Sequence, residues 1–177
     1  MSLQFILAEL NYAKEEFEKF KKPDLMFNAY RHWHNFVDFI GKAFNKLENI
    51  KTTGSNKFIS EVNSAINLRR KDPLLRYITE LRNADQHTSQ ILAGLEAISN
   101  IPSGSFTVIE NETGNAATEN LYAHTYKLKT IVNKGVPYVP PTIHRGQKLK
   151  FVRDPYEVGQ LTINFYEKLY DDLSKVF

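Results

Sequence analysis

Apolar residues recur at helical spacing through most of the first hundred residues, and this periodicity constrains the fold more than any other feature of the sequence. One such segment covers residues 3–21, a second covers residues 25–47, and a third includes Phe58 and ends near Arg70. The repeating residues of the first segment are Phe5, Ile6, Leu10, Ala13, Phe17 and Phe20. Charged residues occupy the opposite face, which is typical of helices that bury one side in a bundle.

The dipeptide Asp-Pro occurs twice, at residues 72–73 and 154–155, and each copy indicates a helix start. An aspartate carboxylate caps the free amides of a first turn, and a proline at the first helical position loses no hydrogen bond. These signals predict a fourth helix from residue 73 to at least residue 84, and a closing helix over residues 155–177. Residues 91–98 either extend the fourth helix or form a short fifth turn.

Between these helices the pattern changes to that of strands. Residues 106–109 and 122–132 have strand-like composition, and the second segment alternates apolar and polar side chains. The Asn-Lys-Gly sequence at 133–135 predicts a hairpin turn, after which residues 136–143 return antiparallel with two prolines typical of an edge strand. We therefore expect a mainly α protein, an up-down helical bundle with a small antiparallel β-meander before a C-terminal helix.

A chain of 177 residues, of which 42% are hydrophobic, suits a single domain over residues 1–177. Within it we expect a helical core over residues 1–100, a β appendage over 104–153 and the closing helix. The net charge of +3 is too small for a dedicated nucleic-acid coat protein, so any polyanion must bind a local patch. Cysteine is absent, and no signal peptide or membrane-spanning run is recognisable, so we expect a soluble, cytoplasmic protein without disulfides.

The strongest chemical feature is the hexapeptide Arg82-Asn83-Ala84-Asp85-Gln86-His87, near the end of the fourth helix. On a continuous helix Arg82 and His87 lie about 140° apart, so both can border one groove. A histidine with an ordinary pKa of about 6.5 can take a proton from a ribose 2′-hydroxyl at neutral pH, while a guanidinium stabilises charge on phosphate oxygens. Such a pair suits cleavage of a phosphodiester.

Asp85 falls on the apolar stripe of the fourth helix, beside Leu81. Because a buried, unpaired charge is strongly unfavourable, either the helix ends before Asp85 or this carboxylate has a partner. His34 is a similar polar residue in the stripe of the second helix, and Gly41 beyond it would let another backbone come close. We therefore expect His34 to meet Asp85 where the second and fourth helices pack.

This arrangement resembles the Arg-to-His signature of HEPN (higher eukaryote and prokaryote nucleotide-binding) domains: an arginine, a polar residue and a later histidine on a late helix of a bundle. The likeness covers about residues 1–100 and includes the segments 32–36 and 72–77. Members of that superfamily include metal-independent ribonucleases, often toxins or defence components, which form homodimers with two motifs facing one cleft. The resemblance implies that Arg82 and His87 are a catalytic pair and that Asn83 is the polar position. The β appendage and the closing helix have no counterpart in the minimal domain.

Two functions stay open at this point. In the first, the protein is a metal-independent ribonuclease in which His87 is the base, Arg82 stabilises the phosphate, and Asn83 and Asp85 orient the site with His34 behind them. In the second, it is a catalytically inactive HEPN-like binding or structural protein whose polar residues fix helix packing. The partners implied by the resemblance are a second copy of the chain, RNA and a cognate antitoxin.

Arg69, Arg70 and Arg76 form a basic cluster immediately before the motif and are candidates for RNA binding. In that interpretation they steer RNA towards Arg82. The alternative is a solvated turn whose charges have no ligand.

The histidines His32, His34 and His87 raise the alternative of a metal site. Residues 32 and 34 point about 200° apart on a helix, which makes it difficult for both to ligate one ion. We therefore expect neither a metal nor another cofactor.

Overall fold

The computed structural model describes residues 3–22, 26–51, 54–87, 94–98 and 126–177, and the side chains of residues 26, 27 and 85–87 lie outside that description. The helices are α1 Gln4–Lys21, α2 Met26–Ile50, α3 Asn56–Lys71, α4 Pro73–His87 and α5 Pro155–Ser174. The strands are β1 Leu95–Ala97, β2 Tyr126–Leu128, β3 Ile131–Asn133, β4 Val136–Tyr138, β5 Ile143–His144 and β6 Gln147–Lys148. The predicted mainly α fold, with antiparallel strands before a C-terminal helix, is confirmed. In the described ranges, no helix has both the length and the apolarity needed to cross a membrane.

The helices α1 and α2 pack along each other and bury the apolar stripes that predicted them. The buried residues of α1 are Ile6, Leu10, Ala13, Phe17 and Phe20. Phe5, which was predicted to share this stripe, is instead 55% exposed. On α2 the inward stripe passes through Trp33, Phe36, Ile40, Phe44 and Leu47. The predicted burial of His34 is therefore wrong: Trp33 takes the inward position, and the next residue turns away by about 100° into solvent.

The helix α5 completes the core, packing against α1, α3, α4 and β2. The aromatic centre of this core surrounds Phe20, whose ring centroid lies 5.2 Å from that of Trp33, 5.8 Å from Tyr126 and 5.0 Å from Tyr156. Aromatic pairs at such separations stabilise a core beyond the area that they bury. These contacts join the early helices, β2 and α5 in one hydrophobic cluster.

The strands form three antiparallel pairs, β1 with β2, β3 with β4, and β5 with β6. The predicted turn at 133–135 is confirmed, since Lys134 and Gly135 have φ angles of 49° and 79° between the paired strands β3 and β4. Two positive φ angles are the mark of a type I′ hairpin turn. A second turn of this kind, at Arg145 and Gly146, joins β5 to β6 and was not predicted.

Two predictions in this region are wrong. Residues 95–97, expected to be helical, form β1 and pair with β2, because so short an apolar run fits a strand as well as a helix. The segment 122–132, expected to be one strand, contains both β2 and the start of β3. The chain leaves β2 at Leu128, whose amide donates to the carbonyl of Arg153 at 2.8 Å. The strand predicted at 106–109 lies outside the described residues.

Both Asp-Pro dipeptides start a helix as predicted. Oδ1 of Asp72 accepts hydrogen bonds of 3.0 Å from the amides of the second and third residues after it. The carboxylate of Asp154 does the same for α5, at 2.9 and 3.3 Å. Asp72 also ends α3, because its own amide donates to the carbonyl of Leu68 at 2.8 Å. A single residue therefore separates α3 from α4.

Candidate functional site

Arg82 lies on the side of α4 that faces α2. Its Nε donates to Oδ1 of Asp38 at 3.3 Å, and its side chain is 14% exposed. The side chain crosses Gly41 so closely that a Cβ placed there would lie 2.0 Å from Cδ and 2.2 Å from Nε of the arginine. Gly41 was expected to admit another backbone, whereas it makes room for the Arg82 side chain.

Asp38 holds two cations at once. Nζ of Lys42 lies 2.8 Å from Oδ2, while Arg82 occupies Oδ1. Partial burial raises the pKa of the Asp38 carboxyl, but hydrogen bonds and charges from Lys42 and Arg82 lower it by more, so the pKa lies below its ordinary value. The carboxylate is therefore ionised at neutral pH and fixes the guanidinium in place.

The remaining motif residues follow Arg82 on the same helix. Asn83 is half-buried, and the helical backbone continues through Asp85 to His87. The side chains of Asp85 and His87 lie outside the described residues, and so does the predicted contact between His34 and Asp85. That contact was predicted because His34 was expected to be buried on α2. Since His34 is exposed, this reason for the contact no longer holds.

The three predicted RNA-binding residues, Arg69, Arg70 and Arg76, line one open cleft of about 530 Å³ between α2, α3 and α4. The other lining residues in the described part of the chain are Phe44, Glu48, Ile66, Thr79 and Glu80. Arg70 and Arg76 are exposed, so the cleft presents positive charge to solvent. The basic cluster of the sequence is thus a cluster in space as well.

Arg69 is held from two sides. Its Nε donates to Oγ1 of Thr79 at 2.7 Å, and the Thr79 hydroxyl in turn donates to the carbonyl of Leu75 at 2.8 Å. The guanidinium carbon lies 3.9 Å from the centroid of the Phe44 ring, a close cation–π contact. The cleft therefore contains one arginine whose position is fixed before any ligand arrives.

The hairpin β3–β4 supports the α4 wall of this cleft. Nδ2 of Asn133 donates to Oε2 of Glu80 at 2.7 Å. The guanidinium carbon of Arg76 lies 5.2 Å from the centroid of the Tyr138 ring. Each strand of the hairpin thus positions one charged residue of the cleft, a role that the sequence did not predict.

The cleft and Arg82 lie along the same contact between α2 and α4. Gly41, Phe44 and Glu48 are spaced by three and four residues, so they share one face of α2. On α4, Arg82 follows Thr79 by three residues, a rise of about 4.5 Å along the axis. The predicted catalytic arginine therefore continues the cleft by one helical turn.

His32, a candidate metal ligand, is engaged elsewhere. Its Nδ1 lies 2.8 Å from Oε2 of Glu16, which also accepts from Asn35 at 2.9 Å. Burial raises the pKa of Glu16, but hydrogen bonds from His32, Lys19 and Asn35 outweigh it and bring the pKa to about 2. Among the residues that the structure describes, no group of three or more His, Asp or Glu could hold a metal ion.

Asp72 is a buried carboxylate with a structural role. Besides the two α4 amides, its Oδ1 contacts Nδ1 of His144 at 3.0 Å, and its Oδ2 accepts from the amide of Arg145 at 2.6 Å. Burial raises the pKa of Asp72, but the amide of Arg145, the His144 ring and the amide of Leu75 lower it by more, so the pKa is depressed. Asp72 thereby fastens the β5–β6 hairpin to the start of α4.

Comparison of the chain with family models, with curated proteins and with solved structures finds no match. Two features of the molecule therefore bear on its function: the Arg82–Asp38 pair and the arginine-lined cleft beside it.

Proposed function

We propose that the protein is a HEPN-like, metal-independent endoribonuclease in which Arg82 and His87 act on one phosphodiester. The observation that supports this is the placement of Arg82, whose guanidinium is fixed by an ionised carboxylate next to a cleft lined by three more arginines. Stabilising the charge that develops on a reacting phosphate requires a cation already in position.

The proposed reaction needs only groups of the hexapeptide and the RNA. The His87 imidazole takes the proton of a ribose 2′-hydroxyl, and the 2′-oxygen attacks the adjacent phosphorus. The bond from phosphorus to the 5′-oxygen of the next nucleotide breaks, and the protonated His87 gives its proton to that leaving oxygen. The products are a 2′,3′-cyclic phosphate and a 5′-hydroxyl. Arg82 stabilises the non-bridging oxygens. Positions 83 and 87 share one face of α4, so Asn83 is suited to orient the same phosphate, while Asp85 has the proposed role of orienting the site.

The test is incubation of the full chain with end-labelled single-stranded RNA in EDTA, followed by mapping of the product ends. We expect cyclic phosphate ends, no cleavage of DNA, and a rate at least about 100-fold lower for His87→Ala or Arg82→Ala. Lys57→Ala, an exposed position in the first turn of α3, is the control and should cleave like the parent protein. Intact RNA in the presence of folded protein, or full activity of His87→Ala, contradicts the proposal.

One observation favours a second function, that of an inactive HEPN-like binding or structural protein. Arg82 is mostly buried and paired, as in an ion pair that merely joins two helices. This function predicts that the protein binds RNA without cutting it. It also predicts that Arg82→Ala lowers the melting temperature while His87→Ala changes neither stability nor binding.

By the same resemblance we propose a homodimer in the cytoplasm, in which two copies of the motif face one another, with a cognate antitoxin as a further partner. Sedimentation of the purified chain measures the first of these directly. A monomer at the concentrations that cleave RNA would remove the dimer from the proposal and leave the nuclease intact.

A further inference from the structure

We propose that the cleft between α2, α3 and α4 binds one ribonucleoside phosphate unit, with its phosphate on Arg69, Arg70 and Arg76 and its ribose hydroxyls on Glu48 and Glu80. The inference rests on the proposed function, because it names how a substrate strand is held beside Arg82. The same chemistry is offered by a nucleotide within RNA and by a free nucleotide.

The phosphate part of the site depends on Arg69. Thr79 holds its Nε and the Phe44 ring covers one face of its guanidinium, so little side-chain freedom remains to be lost on binding. The two terminal nitrogens of a guanidinium form a fork that matches two oxygens of a phosphate. Arg70 and Arg76 line the same cleft and add two solvent-exposed cations.

The sugar part of the site depends on two carboxylates. Glu48 and Glu80 line the cleft with the arginines, and Glu80 is held by Asn133 at 2.7 Å. Ionised carboxylates only accept hydrogen bonds, so they favour a ligand that carries hydroxyl donors close to its anionic group. A ribose beside a phosphate has this pattern, and its 2′-hydroxyl is what separates RNA from DNA.

The size and charge of the cleft favour a nucleotide over an acidic peptide. Its volume of about 530 Å³ lies in the range of pockets that take small ligands, and its open side lets a strand continue beyond one unit. The carboxylates of an acidic peptide would contact the arginines but would also come close to Glu48 and Glu80. Like charges brought together in one cleft disfavour binding, and a peptide carboxylate has no hydroxyl donor to offer the two glutamates.

The experiment measures binding by fluorescence anisotropy in the His87→Ala background, which keeps the RNA intact. The probes are a labelled RNA hexamer, DNA of the same sequence, and adenosine monophosphate as competitor. The cleft variant is Arg70→Gln with Arg76→Gln, both exposed positions. The control removes two equally exposed charges elsewhere, with Arg31→Gln on α2 and Lys57→Gln on α3. Thermal melts confirm that each variant is folded.

We expect the cleft variant to bind RNA at least about tenfold more weakly than the control variant, as loss of charge-assisted hydrogen bonds requires. The slope of log affinity against log salt should also fall, by up to about 0.7 for the one phosphate that the arginines hold on a single strand. Glu48→Gln should lower the ratio of the affinity for RNA to the affinity for DNA of the same sequence. If adenosine monophosphate displaces the RNA hexamer, the cleft also binds free nucleotides. If it does not displace the hexamer, the cleft binds nucleotides only within a strand.

Equal RNA binding by the cleft variant and the control overturns this proposal, and so does cleft-dependent binding of an acidic peptide by a protein that does not bind RNA. The outcome is separate from that of the nuclease test. A parent protein that binds RNA through the cleft without cutting it contradicts only the nuclease. If the same cleft and control substitutions are made with His87 intact and both proteins cleave RNA equally fast, only the proposal for the cleft is contradicted.

Discussion

The helix α4 has a carboxylate contact near each end, and the two contacts are built from different donors. At its start, the Asp72 side chain is 2% exposed and is bound by backbone amides and the His144 ring. Near its other end, the Asp38 side chain is 27% exposed and is bound by the cationic side chains of Arg82 and Lys42. The first contact joins a buried carboxylate mainly to backbone amides, whereas the second joins a partly exposed carboxylate to the side chains of two cations.

The contact at the start of α4 therefore serves mainly to stabilise the fold, and the contact near its end serves mainly the proposed activity. Backbone amides cannot move to another partner, so the Asp72 contact fixes the helix start. A partly exposed ion pair such as Arg82–Asp38 contributes little to stability, roughly 0–1 kcal/mol, yet its arginine can share its charge with a ligand. We therefore expect changes at Asp72 to affect folding and changes around Asp38 to affect activity.

The largest effect is expected for Asp72→Ala, which removes the α4 cap and leaves four donors without their acceptor. We expect a loss of about 3 kcal/mol in the free energy of unfolding, measured by urea denaturation. The matched control is Ser55→Ala, which removes the more exposed cap of α3 and should cost about 1 kcal/mol. Equal losses at the two caps would show that burial and the β5–β6 hairpin add nothing at Asp72.

Acid should weaken the same contact by a smaller amount, because protonation removes the charge and leaves the side chain. The pKa of Asp72 is depressed in the fold, so its contribution is complete above the unfolded pKa of about 3.9 and is lost as the pH falls through the lower folded value. Asp72→Asn should therefore show a flatter loss of melting temperature on acidification than the parent. If the melting temperatures of the two proteins fall in parallel as the pH is lowered, protonation of Asp72 does not cause the loss of stability in acid.

Gly41→Ala should affect activity more than folding. The new methyl group would overlap Arg82, whose flexible side chain can move away. We expect at most about 1 kcal/mol of destabilisation, since alanine also favours the helix, but at least about a tenfold lower rate of RNA cleavage. The control is Asn45→Ala at an exposed position of α2. An unchanged rate would mean that the observed position of Arg82 is not the one used in cleavage.

Asp38→Asn should have the smallest effect on stability, below about 1 kcal/mol. It removes the charge that fixes the guanidinium, so the rate of RNA cleavage should fall while RNA binding in the cleft persists. A double-mutant cycle with Arg82→Ala measures how much of that fall passes through the arginine. A loss of stability as large as that of Asp72→Ala would remove the distinction between the two ends of α4.

The features predicted correctly from sequence were the local ones. Both aspartate caps depend on residues within three positions, and the long helices repeat their apolar pattern over many turns. The arginine cluster could also be predicted, because Arg69 and Arg76 flank a one-residue helix junction. Three-residue strands such as β1 carry too few residues to show a period, which is why that prediction failed.

The contacts around Arg82 could not be predicted, because they depend on how two distant helices cross. Asp38 and Arg82 are separated by 44 positions, and the local pattern around Asp38 indicates only its pair with Lys42, four residues later on the same helix. His34 and Trp33 are neighbours, so the choice of which one points inward depends on packing against α1. Gly41 was recognised as a point of close approach, but only the packed helices show that a side chain fills it.

The one-residue junction at Asp72 also determines how this chain can change during evolution. A residue inserted within the last turn of α3 or the first turn of α4 would rotate one helix by about 100° and shift it by about 1.5 Å relative to the junction, carrying Arg76 away from Arg69. Substitutions at Arg70 leave that geometry untouched. Among relatives that keep the cleft, we therefore expect the number of residues between positions 69 and 76 to be preserved more strictly than the identities of those intervening residues. A gap in this segment of an alignment would mark a relative without the cleft.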